Sequence, residues 1–153
     1  MVDQQAALAA TLTLFHNVII GSHIVHDVGC LESGLAYSLA QLVICEEILA
    51  WIRHSLKPVV TDEAILALDL IDEKGSDGQY IDCERTFDYF REHWYPELWS
   101  GTSDSEWSAA GSTTLAEQAA EKVDVILVSH QPKGLPDDVA AAIRGVGSAA
   151  INA

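Results

Sequence analysis

Ser22-His23-Ile24-Val25-His26-Asp27-Val28-Gly29 is the stretch on which the fold reading turns. Its β-branched run, closed by a glycine, predicts a strand over residues 23–28. No other segment carries so clear a strand pattern, and six or seven helical patterns surround it. A lone strand leaves backbone N–H and C=O groups unpaired on both edges, and burying them without partners is costly. A helix, strand, helix order with short links is the pattern of a piece of parallel α/β structure. The residues alone therefore predict a chain that takes strands from a partner or forms part of a larger protein.

On the N-terminal side, Leu8, Leu12, Phe15 and Ile19 recur at helical spacing within residues 3–20, and Gly21 is a natural stop. On the C-terminal side, residues 30–37 read as a loop. Ser38 and Gln41 fit a capping box that opens a helix running to about Leu56, ahead of Pro58. Leu39, Leu42, Val43, Ile48, Leu49 and Ile52 make that helix apolar on most faces, so it is expected to be heavily buried. Thr61-Asp62-Glu63 starts a helix carrying Ile65, Leu66, Leu68 and Ile71, with acid in its first turn, and Gly75 ends it in a turn over residues 75–78. A further helix is expected over residues 83–94, with Phe87 and Phe90 on one side and Pro96 as its breaker. Ser103 with Glu106, and Thr114 with Glu117, form two more capping boxes. The second opens a helix through Val123 and Leu127. Residues 123–128 are β-branched enough to suggest a strand, but the unbroken alanine-rich run before them favours helix. Pro132 and Pro136 bracket a linker. Val139, Ile143 and Val146 mark a last amphipathic helix that fades into small residues. No internal repeat is visible.

Charge narrows the functional classes. The 153 residues hold 23 acidic side chains against 8 Lys and Arg, a net charge of -15. Nucleic-acid binding needs a basic patch, and an anionic membrane surface would repel this chain, so neither is an expected partner. Hydrophobic residues make up 49% of the sequence, enough for a core and too many for a disordered chain. No apolar stretch reaches the roughly 20 residues of a membrane-spanning helix. The start, Met1-Val2-Asp3-Gln4-Gln5, lacks the basic region and apolar block of a signal peptide. Cys30, Cys45 and Cys83 are widely spaced without a CxxC, and read as reduced thiols of a cytoplasmic protein.

Asp27-Val28-Gly29-Cys30-Leu31-Glu32-Ser33-Gly34-Leu35 resembles the "DVG-x-LESGL" segment of the trimethylamine methyltransferase family, which also holds glycine betaine and related quaternary-amine methyltransferases. The likeness continues in order. Gln41-Leu42-Val43-Ile44 with Glu46-Glu47-Ile48 is similar to "QLVIDDEI". Asp62-Glu63, Leu66-Ala67-Leu68-Asp69 and Ile71-Asp72-Glu73 resemble "DETLALDVIDEVG". Phe90-Arg91 with Trp94-Tyr95-Pro96, and Trp107 with Ala109-Ala110-Gly111, match two further stretches. Leu135-Pro136 and the last helix fall where the family has them. Three positions depart from the pattern: Cys45 replaces an acidic residue, and Gln79 and Arg85 stand where histidines are expected.

The resemblance implies a (β/α)8 barrel of several hundred residues. This chain would be its C-terminal portion, with late βα units at residues 1–100 and a helical extension at 101–153. The fold expected for the chain itself is mainly α with one or few strands. Family members transfer a methyl group from an amine to the cobalt of a corrinoid held by a separate protein, with the cobalt as nucleophile. Catalysis is then positioning and electrostatics. The implied partners are the corrinoid protein, a methylated amine, and the missing barrel portion or a second copy. No cofactor is expected on this chain. The resemblance also implies a cytoplasmic enzyme with a place in methanogenesis. Trimethylamine-specific members contain pyrrolysine. Either that residue lies outside this chain or the chain is of the pyrrolysine-free quaternary-amine branch, which is the favoured reading. A non-catalytic helical interaction module and a truncated remnant are the alternatives to an enzyme.

In barrels the site lies at the C-terminal strand ends and the loops that follow. Glu32 and Asp27 are therefore the candidate catalytic carboxylates, placed to attract an ammonium group, and Ser33 is a candidate substrate contact. Their structural alternative is to cap the next turn or pair with neighbouring loops. His23 and His26 would face opposite sides of a strand, which argues against a shared metal. Trp94, Tyr95, Trp99 and Trp107 could suggest a cage for a methylated ammonium. Their place in a helical extension favours packing or subunit contact instead. Acidic runs such as residues 69–73 read as solvated helix faces.

Overall fold

The computed structural model of the chain describes residues 1–99 and 101–151. It is mainly helical. In chain order the elements are α1 (Gln4–Ile19), β1 (Cys30–Leu31), a single tight turn (Glu32–Gly34), β2 (Ala36–Tyr37), α2 (Leu39–Ser55), α3 (Glu63–Leu66), α4 (Leu68–Lys74), α5 (Glu84–Tyr89), a 3-10 turn (Phe90–Glu92), α6 (Asp104–Ala109), α7 (Leu115–Ser129) and α8 (Asp137–Ile151). Two compact units result, Met1–Val123 and Asp124–Ala153.

The first unit is organised on α1 and α2. Asp3 caps α1 by accepting a hydrogen bond from the Ala6 N–H at 3.0 Å, and Gly21 follows its end at φ +73°. Ser38 caps α2, accepting from the Gln41 N–H. The capping box predicted there is only half made: the Gln41 side chain turns inward, donating towards the Ala6 carbonyl at 3.5 Å. Gln41 is 1% exposed, so its amide nitrogen takes this buried acceptor, while its Oε1 is left without a hydrogen-bond partner. One side of α2 sets Val43 and Ile44 against Leu98 and Ala119. Another sets Cys45 and Ile52 against Leu14 of α1, and Ile48 touches both clusters. Of the residues that predicted heavy burial of α2, Leu39 is half exposed, and Trp51 on the same helix is too.

The strand predicted over residues 23–28 does not form. That segment is irregular, although Val25 and Val28 do pack against the α1–α2 core. A ladder needs a second backbone alongside, and the described residues bring none there. Asp27 also sits at φ +64°, which no strand residue adopts. The stretch predicted as loop instead makes a two-residue antiparallel pair, Cys30 with Tyr37 and Leu31 with Ala36. The single helix predicted from residue 63 to the glycine stop breaks in two at Ala67, which takes a left-handed conformation at φ +50°. The helix predicted over residues 83–94 shortens to α5 and a 3-10 turn. Residues 123–128 are helical, as the alanine-rich run indicated. The last helix continues through Ile151, beyond the point where small residues were expected to end it; residues 152 and 153 lie outside the described residues.

Candidate functional site

The β1–β2 turn and the segment before it line an open concavity of about 700 Å³ against α1. Asp27, Glu32 and Ser33, the three residues singled out from the sequence, all lie on its wall, with His26 and Cys30 beside them and Asp3, Thr13 and Cys45 opposite. Asp3, Asp27 and Glu32 put three carboxylates on the lining, so the wall is predominantly acidic.

Backbone geometry sets these side chains apart. Asp27, Glu32 and Ser33 have φ of +64°, +51° and +55°, with Gly29 and Gly34 both at +89°. A left-handed non-glycine residue costs of order 1–2 kcal/mol, and such strain clusters at functional sites. Gly29 makes the arrangement possible. A Cβ there would meet the Leu42 Cβ at 3.0 Å and the Tyr37 ring at 3.1 Å, so only glycine lets the loop close onto α2.

The side chains are not equivalent. Asp27 is engaged, pairing with His26 Nδ1 and accepting from the Cys30 thiol at 3.8 Å. Desolvation, then the Asp27 charge, push the Cys30 thiol above its ordinary pKa. Glu32 and Ser33 are exposed, inside a turn whose N-cap residue is Leu31. No side-chain hydrogen bond or ion pair of Glu32 is found among the described residues. His23 is not on the concave wall. Among the described residues no group of three or more His, Cys, Asp or Glu is arranged to hold a metal ion. The three cysteines are free.

A second constellation was not read from the sequence. Glu47 of α2 is 6% exposed. Its Oε1 accepts hydrogen bonds from the Glu97 N–H at 2.7 Å and the Leu98 N–H at 3.2 Å. Trp51, one turn further along α2, stacks on Trp94 with ring centres 5.9 Å apart and meets Trp99 at 5.5 Å. Of the four aromatics grouped by sequence, only Trp94 and Trp99 join this cluster. Tyr95 is exposed against His93, and Trp107 donates its indole N–H to the Thr113 carbonyl at 2.9 Å. Only the i, i+4 spacing of Glu47 and Trp51 hinted at a shared face.

Comparison of the sequence with known proteins identifies the family. Residues 1–146 match the family described as trimethylamine methyltransferase (MTTB), and the chain belongs to that family. It is 28% identical over 144 residues to the trimethylamine methyltransferase MttB of Desulfitobacterium hafniense, covering 94% of this chain and 29% of that protein. It is 29% identical over 137 residues to the MttB of Methanosarcina barkeri, covering 90% and 28%. The glycine betaine methyltransferase of Desulfitobacterium hafniense is 25% identical over 145 residues, covering 94% and 30%. The chain therefore spans less than a third of the length of these curated relatives.

Proposed function

We propose that this chain supplies part of the amine site of an enzyme that moves a methyl group from a tertiary or quaternary amine, of the trimethylamine or glycine betaine type, to a corrinoid protein. One observation carries the reading: Asp27, Glu32 and Ser33 line a single concavity and all three hold left-handed backbone conformations. In this reading residues 1–100 are late units of a (β/α)8 barrel, residues 101–153 are a helical extension, and the complete enzyme works in the cytoplasm. No helix among the described residues is long and apolar enough to cross a membrane.

Glu32 attracts the ammonium by charge, and Ser33 limits its orientation. Asp27 sets the loop by holding His26 and Cys30. The acidic lining suits a cationic amine, whereas the corrinoid stays on its own protein and supplies the methyl acceptor. The chain's contribution is positioning and electrostatics. An open wall weakens that attraction through water and salt, so the effect needs the rest of the barrel to exclude solvent.

The test is Glu32→Gln introduced at the matching position of an intact relative. The expected result is an unchanged fold and a rate of corrinoid-protein methylation lowered by about tenfold or more. The reaction is followed by the absorbance change of the corrinoid protein, with trimethylamine and glycine betaine tested separately. Unchanged turnover removes Glu32 from the site. The 153-residue chain alone is expected to show no turnover.

A further inference from the structure

Among the described residues α1 is the one helix without Asp, Glu, Lys or Arg, in a chain whose net charge is -15. Its inner face is committed: Ala10, Leu14 and Val18 pack into the α2 core, and Ala7 joins the neighbouring cluster. Its outer face carries Leu8, Leu12, Phe15 and Ile19, which are 62%, 63%, 42% and 57% exposed. Two copies of so acidic a chain repel each other over most of their surface. The uncharged outer face of α1 is where they approach at least cost. A charged partner gains nothing there, because the face offers no charge to pair with. The spacing narrows the occupant further. Steps of four, three and four residues make a heptad-like seam, the pattern by which one helix packs along another. Read backwards the steps are again four, three and four, so the seam matches a second copy of itself related by a two-fold axis.

We propose that the outer face of α1 is a homodimer interface, in which two copies of this chain pair antiparallel along Leu8, Leu12, Phe15 and Ile19. Leu8 of one copy lies beside Ile19 of the other, and Leu12 beside Phe15, so the same four residues serve both sides. Area sets the strength. Four half-exposed side chains from each copy bury on the order of 800 Å² in total, below the roughly 1,200 Å² at which stable specific complexes begin. The dimer is therefore weak, with a dissociation constant of about 0.1 mM. This inference does not rest on the methyl-transfer reading, since it uses only the charge and spacing of α1.

The experiment is sedimentation equilibrium of the full chain from about 0.01 to about 1 mM, which should show monomer and dimer and no larger species. Phe15→Glu puts a charge at the centre of the seam and should weaken the dimer about tenfold or more. Ile24→Glu adds the same charge at an apolar residue that is 85% exposed and off the seam, and should leave the dimer unchanged. Circular dichroism checks that both variants keep their helicity. Direction is read by cross-linking in a Cys30→Ser background, the other two thiols being buried, and this arm decides the matter should Phe15→Glu unfold. A Leu8→Cys chain mixed with an Ile19→Cys chain should form a mixed disulfide under mild oxidation. Leu8→Cys alone should not, since the two Leu8 positions lie about 16 Å apart along an antiparallel pair. A monomer at every concentration overturns the proposal and leaves the stripe to a different chain. Equal weakening by Phe15→Glu and Ile24→Glu overturns it, as does a Leu8→Cys disulfide that forms as readily without Ile19→Cys.

Discussion

Glu47 joins two parts of the first unit that lie 50 residues apart in sequence, through two backbone hydrogen bonds to one carboxylate oxygen. Replacing it by Leu strands both N–H groups, the Leu98 one fully buried. The expected cost is about 1–3 kcal/mol, whereas Glu47→Gln, which keeps an acceptor, should retain most of the stability. Urea unfolding with an unchanged slope would report this difference as a shift in midpoint. Gly29→Ala should cost about 1–3 kcal/mol as well, since the new Cβ meets Leu42 and Tyr37 at a φ of +89°. Cys30 supplies a chemical check. Its thiol is pushed up by desolvation and by Asp27, so less of it is thiolate at any given pH. Alkylation at about pH 8 should therefore be slower than for an unfolded thiol, and Asp27→Asn should speed it up. At this scale the concave site was partly legible. The motif from Asp27 to Leu35 named Asp27, Glu32 and Ser33, and the structure brings them to one wall. Asp3, Thr13 and Cys45 on the facing wall left no local signal, because their approach depends on how α1 packs on α2. Glu47 was invisible for the same reason: its partners are backbone atoms far along the chain.

Elements with strong end signals were the readable ones. Both remaining capping boxes form. Ser103 and Glu106 exchange bonds at the start of α6, and Thr114 and Glu117 do so at the start of α7. The Ser103 hydroxyl, then its N–H, hold Glu106 below the ordinary carboxylate range, and the Thr114 N–H, then its hydroxyl, do the same for Glu117. The sign follows by linkage. A carboxylate depressed in the folded state contributes stability above its unfolded pKa, and that contribution drains as pH falls through the folded value. Helicity followed by circular dichroism from about pH 6 to pH 2 should fall at the acid end. Glu106→Gln with Glu117→Gln should remove the part of that fall due to the boxes, and an unchanged acid profile would show that they contribute nothing. Where end signals were weak, the reading failed. Ala67 has no sequence feature that announces the left-handed break between α3 and α4. The β-branched residues 23–28 met the propensity rule for a strand, but propensity measures the fit to a pleated neighbour, and the described residues bring none there.

For the whole chain the question is what covers its apolar surface. Only eight apolar residues are buried among those described, and several large ones are not. On α1, Leu14 and its neighbours Ala10 and Val18 pack into the α2 core. Leu8, Leu12, Phe15 and Ile19, spaced by four, three and four residues, form another stripe that is between 42% and 63% exposed. A contiguous stripe of this kind is characteristic of an interaction surface. Two forces then compete. Burying the stripe against a second copy gains roughly 25 cal/mol for each Å² of apolar surface covered. The net charge of -15 makes two copies repel. Repulsion between exposed charges is screened over a Debye length, about 10 Å at 0.1 M salt and about 3 Å at 1 M, while burial of apolar surface is not weakened by screening. Self-association should therefore grow with salt, the reverse of an interface held by ion pairs. Sedimentation velocity across protein concentrations, at about 0.05 M and about 1 M sodium chloride, should show larger species favoured at high salt. Leu8→Lys with Leu12→Lys places two charges in the stripe and should return the chain towards monomer at both. A monomer at every concentration and salt would mean that the α1 stripe is tolerated in water. Association that weakens as salt rises would point to a charged interface elsewhere on the chain.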